Sequence, residues 1–214
     1  PAAGGHRGPA LAGGNMTCSP AGRALDLSAV GAVPEGRYVT RGGPRPGDVF
    51  AVTGYPGQSA AGLLALVNGV DAPVLIRRHL RPEPRLAEGR WLARRDAVHA
   101  MIDLSDGLLQ DAGHIGVRSG LGVNVDSDLV PLAPALNGFE SALSQSLESL
   151  TLSGGEDYEL AVALDPRGAP ALCAEFAAEF GTPLTVVGRV EQGWRGVRLD
   201  GQEAAHLGFD HFSA

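Results

Sequence analysis

Cysteine is scarce in this chain of 214 residues, with only Cys18 and Cys173. The pair supplies neither a disulfide framework nor a metal-binding spacing, so two free thiols in a reducing cytoplasm is the expectation. Aromatic residues make up 5% of the sequence, which leaves Leu, Val, Ile and Ala to build the core. No apolar run approaches the roughly 20 residues that span a bilayer. The opening "PAAGGHRGPALAGG" lacks the charged and then apolar order of a secretory signal. Positive charge is in deficit, 17 Lys and Arg against 24 Asp and Glu, for a net charge of −7. That balance argues against nucleic acid or an anionic membrane surface as partner. A phosphorylated ligand fits only where metal ions supply positive charge locally. The GxxxxGK[ST] phosphate loop and the GxSxG nucleophile elbow are both missing.

What the sequence does have is 44% hydrophobic residues, 31 Gly and 15 Pro, the balance of a globular α/β protein with many short loops. Alternating apolar residues predict a strand over 23–33. Residues 34–48 are so punctuated by Gly and Pro that they read as a boundary, with a short element at Tyr38–Thr40. Next come a strand over 48–54 and a helix over 59–69 with Ser59 as N-cap. Two helical stretches within 73–100 are divided by Pro82 and Pro84. A strand ends in "AMIDLSDG" (100–107), and helical spacing of Leu108, Leu109, Ala112 and Ile115 follows over 107–118. The rest reads as a strand over 122–132, a mostly helical 134–150, a strand over 158–164, a helix over 170–181 and two strands within 183–201 turning near Gly193. The fold class expected is α/β (α+β) with a mixed sheet.

Two stretches concentrate chemistry. In "MIDLSDGLLQDAGHIG" (101–116), Asp103 ends a strand, where open α/β sheets usually place ligands. Asp106 opens a helix, and Gly107 allows a tight turn between them. Two carboxylates three residues apart across such a turn can face one spot. Carboxylate oxygens suit Mg²⁺, particularly when phosphates complete its shell, and the helix N-terminus adds N–H donors for phosphate oxygens. The competing reading is structural: Ser105 or Asp106 caps the helix and Asp103 pairs with an arginine. Spacing alone leaves both open. Asp111 and His114, further into the helix, read as structural. The second stretch is "LSGGEDYEL" (152–160), where Gly154-Gly155 precedes Glu156-Asp157. Its plain alternative is a solvated turn.

Taken in order, "GGNMTCSP", "VPEGRYVTRGGPRPGDVFAVTG", "GQSAAGLLAL", "RRHLRPEPRL", "IDLSDGLLQDAGHI", "LTLSGGEDYEL" and "GFDHF" resemble the thiamine-monophosphate kinase family, within the aminoimidazole ribonucleotide synthetase-like superfamily. The resemblance implies residues 1–40 as a remnant of an N-terminal ATP-binding and dimerisation domain and 41–214 as the C-terminal domain. ATP, Mg²⁺ and thiamine monophosphate would occupy the cleft of a homodimer. By position, Asp103 and Asp106 match Mg²⁺ ligands, and Arg41 and Ser105 match ATP contacts. Glu156 and Phe209 match substrate contacts. Asn15 falls where the family commonly has a metal-binding Asp; it keeps an oxygen and drops the charge. The family's upstream segment is not in this sequence, so the resemblance implies a chain that is incomplete as a catalyst. Two other classes remain: a synthetase-type enzyme of the superfamily, and a non-catalytic binding module.

Overall fold

The computed structural model describes residues 30–33, 35–36, 38–139 and 145–204. The chain divides into two units, residues 1–33 and 34–214. In the first, residues 30–33 form no strand; the remainder of the strand expected over 23–33 lies outside the described residues. The second unit carries the elements that follow.

Strand β1 (Val49–Thr53) is an apolar run ended by Gly54 in the left-handed region at φ 59°. Helices α1 (Gln58–Asn68), α2 (Pro73–Leu80) and α3 (Leu86–Leu92) follow. Pro73 starts α2 at a position where its missing N–H costs nothing, and the prolines at 82 and 84 hold α2 and α3 apart. Strand β2 (Val98–Asp103) leads into α4 (Leu108–Ser119), and β3 (Gly122–Val125) comes next. After α5 (Leu147–Ser153) come β4 (Leu160–Leu164), α6 (Ala169–Phe180), β5 (Leu184–Glu191), β6 (Gly196–Leu199) and the two-residue β7 (Gln202–Glu203).

The strands form one sheet in the order β2-β4-β1-β5-β3-β6-β7. Neighbours run antiparallel except β3 and β6, which are parallel. It is the mixed sheet that the alternation of elements predicts. Strand alternation sorts the core onto two faces. Phe50 and Val52 of β1 face Leu108, Leu109 and Ile115 of α4. Ala51, between them, joins Leu92, Leu164, Leu172 and Phe176 under α3 and α6. There Phe176 meets Trp91 edge-on at 5.8 Å and Phe180 at 4.9 Å, pairs worth about 0.5–1.5 kcal/mol each beyond their buried area. Helices α1, α2 and α5 close a third cluster around Ala61, Ala65, Leu75 and Leu150.

Several sequence expectations are corrected. Strand 122–132 stops at Val125, because the Asp126 carboxylate accepts the Asp128 N–H and winds Ser127–Leu129 into a 3₁₀ turn. Of the helix expected over 134–150, the described residues show a 3₁₀ turn at Pro134–Leu136 and the start of α5, whose N-cap Ser146 accepts from the Ser149 N–H; residues 140–144 lie outside the described residues. The short element expected at Tyr38–Thr40 is neither helix nor strand, although the Thr40 carbonyl accepts from the Met101 N–H at 3.3 Å. Ser59 does not cap α1; the N-cap is Gly57 at φ 88°.

Candidate functional site

The two chemical stretches meet at the end of β2. Asp103, its last residue, pairs in register with Leu160. Beyond the ladder the backbones stay bonded: Leu104 N–H donates to Glu159 O (2.8 Å), Tyr158 N–H to Leu104 O (2.9 Å) and Glu156 N–H to Ser105 O (2.8 Å). Glycine makes this approach possible. A Cβ on Gly155 would lie 2.6 Å from the Ser105 carbonyl oxygen, and one on Gly107 would lie 2.8 Å from that of Ser153. Gly107, at φ 117°, is the N-cap of α4 without a side-chain cap, which removes the reading of Ser105 or Asp106 as the cap. Asp111 organises the turn instead. Its buried Oδ2 accepts from the N–H groups of Ser105, Asp106 and Gly107 at 3.1, 3.1 and 3.2 Å. Burial pushes the Asp111 carboxyl up to about 6, against the pull of those donors.

Asp157 does the same for α1, from about 100 residues away. Its two oxygens accept from Gly57 N–H (2.6 Å) and Ser59 N–H (2.9 Å). The solvated-turn reading of "LSGGEDYEL" therefore fails, since Asp157 caps a helix and Glu159 is buried in an ion pair with Arg85. Burial pushes the Asp157 carboxyl from 3.8 to about 7, with the two donors opposing. The raised folded-state value means that the folded protein binds a proton that the unfolded chain has released. Stability from this group is therefore greatest below about pH 4 and declines as pH rises to about 7. The stability of the wild-type protein relative to Asp157→Asn is expected to fall over that window, as read by urea unfolding at stepped pH. A difference that is flat with pH would sink the assignment.

Two cavities flank the turn. An open one of about 450 Å³ is lined by Val39, Arg41, Asp103, Ser105, Asp106 and His114, among others. A narrower one of about 240 Å³ is lined by Ser59, Leu63, His79, Ser105, Asp106 and Glu156, with Ala60 and Gly155. Ser105 and Asp106 thus form a wall common to both. Arg41, Asp103, Ser105 and Asp106 come together on the first, and Glu156 stands on the second. Asp103 is exposed and has no ion pair among the described residues. His114 Nε2 lies 3.6 Å from Asp106 Oδ2, and ligand atoms of Asp106, Asp111 and His114 all fall within 4.8 Å of one another. Asn15 and Phe209 lie outside the described residues. The sequence did not single out His79, whose Nδ1 is 3.1 Å from Ser59 Oγ. A lone His between two Arg and a Leu carries no local signal.

This fold and this site define a mixed-sheet α/β domain with an acidic, glycine-bound turn at the end of β2, between two cavities. The family model described as "AIR synthase related protein, C-terminal domain" matches residues 45–200, and the chain belongs to that family. Among known proteins it is similar to the thiamine-monophosphate kinase of Escherichia coli K12, 40% identical over 216 residues that cover 95% of this chain and 63% of that protein. The corresponding kinase of Caulobacter vibrioides is 36% identical over 191 residues, 86% of this chain and 52% of that one. The chain thus spans less than two thirds of these relatives. Among solved structures, the thiamine-monophosphate kinase of Stenotrophomonas maltophilia superposes with a TM-score of 0.72 at 34% identity, over 80% of this chain and 56% of that one. A structure described as AaThiL complexed with AMPPCP and TMP gives 0.69 at 34% identity, over 81% and 54%. No single helix among the described residues is long and apolar enough to cross a membrane.

Proposed function

We propose that the chain belongs to an ATP-dependent kinase that phosphorylates thiamine monophosphate to thiamine diphosphate, releasing ADP. The observation that carries this reading is the shared wall: Ser105 and Asp106 line both cavities. A phosphoryl group held on the Arg41 side has only that turn between it and an acceptor on the Glu156 side. The relatives' names, and the complex holding AMPPCP and TMP, support the same pair of ligands. Residues 1–40 would then be the remnant of an N-terminal ATP-binding domain and 41–214 the C-terminal domain. The complete protein would be a cytoplasmic homodimer without nucleic acid or membrane partners.

The residues of this turn fit Mg²⁺. Asp103 and Asp106 offer hard oxygens beside an open cavity, and a wall this acidic repels phosphate unless a cation offsets it. Asp111 fits less well, because one of its oxygens is committed to three backbone donors. In this reading Asp103 and Asp106 would hold Mg²⁺, and the ion would supply charge neutralisation between two phosphates; the metal-ligand expectation for Asn15 falls outside the described residues. The Arg41 guanidinium and the Ser105 hydroxyl donate to ATP phosphate oxygens. Glu156 and Phe209 hold the cationic, aromatic acceptor. The acceptor oxygen is already anionic at neutral pH, so in-line transfer requires positioning and charge compensation rather than a general base.

The test is product analysis. A protein of the relatives' full length containing this chain, supplied with ATP, Mg²⁺ and thiamine monophosphate, is expected to yield thiamine diphosphate and ADP in equal amounts. ATP consumption with an unaltered thiamine pool would instead favour a synthetase-type enzyme of the family. Binding without turnover would favour a non-catalytic module.

A further inference from the structure

Glu156 and Tyr158 are two of the three non-glycine residues among those described whose φ is positive, at 67° and 53°. Left-handed backbone in residues of this kind is strained and persists where its surroundings over-determine it. Those surroundings are visible. The Glu156 and Tyr158 N–H groups are tied to Ser105 O and Leu104 O, Asp157 between them is tied to the start of α1, and Gly155 rests on the Ser105 carbonyl. The result sends Asp157 towards α1 and brings the side chains of Glu156 and Tyr158 together, with Tyr158 Oη donating to Glu156 Oε2 at 3.0 Å.

The contact has the marks of a positioning device. Tyr158 belongs to none of the apolar clusters of the core, so its ring is not there to fill a void. It is not among the residues lining the 240 Å³ cavity, whereas Glu156 is. Whatever Tyr158 does for that cavity, it does through Glu156. A glutamate on an exposed loop has several rotamers, and one charge-assisted hydrogen bond at Oε2 selects among them. Oε1 makes no hydrogen bond to any described residue, which leaves it for a ligand. The phenol also feels Glu156 first and the charges of Asp103 and Asp106 more weakly, all raising its pKa, so it remains a donor through the neutral range.

We propose that Tyr158 is a positioning residue: by donating to Glu156 Oε2 it aims the Glu156 carboxylate into the cavity beside Ser105 and Asp106, where that carboxylate receives the cationic acceptor. This rests on the reading of Glu156 as an acceptor contact. The test is steady-state kinetics of Tyr158→Phe, Glu156→Gln and the double variant in the complete protein, varying thiamine monophosphate and ATP separately. Tyr158→Phe is expected to raise the KM for thiamine monophosphate about tenfold, the scale of one hydrogen bond to a charged group, while KM for ATP stays within about twofold by the same scale. In the Glu156→Gln background, Tyr158→Phe is expected to add nothing further. Equal change in both KM values, no change in either, or full additivity in the double variant would each overturn the proposal. Failure of the underlying reading is separable: there Glu156→Gln itself leaves the KM for thiamine monophosphate unchanged.

Discussion

Replacing Arg85 with Met is expected to cost the folded protein about 3–5 kcal/mol, the usual penalty for removing one partner of a buried ion pair. The Arg85 side chain is 9% exposed and that of Glu159 is 4% exposed. The pair is bidentate: Nη2 donates to Glu159 Oε1 at 2.6 Å and Nε to Oε2 at 2.7 Å. Thr53 Oγ1 adds a third donor to Oε2 at 2.6 Å and in turn accepts the Leu160 N–H. Glu88 meets Arg85 at 3.2 Å. One guanidinium therefore ties the start of α3 to the end of β1 and the entry of β4. Methionine keeps much of the volume and leaves Glu159 charged, buried and short of its main donor. Against a total stability of about 5–15 kcal/mol for a typical domain, this loss is large. The double variant Arg85→Met/Glu159→Gln should recover part of it, since the buried charge of Glu159 is gone and only Glu88, 13% exposed, is left without its arginine. Chemical unfolding of both variants checks this, and a loss below about 1 kcal/mol in Arg85→Met would refute the buried-pair account.

That network also marks the boundary of what the sequence makes legible. The junction of β2 and α4 is readable because all its signals are local: an apolar run, a glycine, then apolar residues at helical spacing. The break between α2 and α3 is readable for the same reason, from Pro82 and Pro84. The capping of α1 is not, because the acceptor for Gly57 and Ser59 is Asp157, about 100 residues away. Arg85 and Glu159 stand 74 residues apart, and neither type nor spacing announces the pair. The overlong strand at 122–132 has a different cause. Asp128, Leu129 and Val130 keep the apolar–polar look of a strand, while a side-chain bond at Asp126 has already turned the chain.

The candidate site divides in the same way. Asp103, Ser105 and Asp106 share one short motif, and their assembly around one turn follows from it. That Glu156 lies across the same turn follows only from the backbone bonds that join the two stretches, which the glycines at 107 and 155 permit. His79 and Tyr158 reach the second cavity, directly or through Glu156, by tertiary packing, and the periodicity of their segments says nothing of it.

Asp103→Asn and Asp106→Asn, each in the complete protein, are expected to lower turnover by at least about a hundredfold, the scale on which a single group stabilising transition-state charge acts. The change removes one negative charge and keeps the shape, so it isolates charge from packing. Folding should survive, because Asp103 is exposed and the Asp106 side chain is 28% exposed. The turn between them is held by the Asp111 carboxylate and by glycine, neither of which the variants touch. Removing the Asp106 charge also relieves its repulsion of Asp111, so Asp106→Asn should be at least as stable as the wild type. Chelation with EDTA is expected to silence the wild-type enzyme, and added Mg²⁺ to restore it. In the variants, saturating Mg²⁺ should recover little. The decisive comparison sets turnover against the unfolding midpoint. Lost activity with an unchanged midpoint supports metal-holding carboxylates, and lost activity with a lowered midpoint returns them to a structural role. Near-normal turnover in both variants would remove Asp103 and Asp106 from the chemistry.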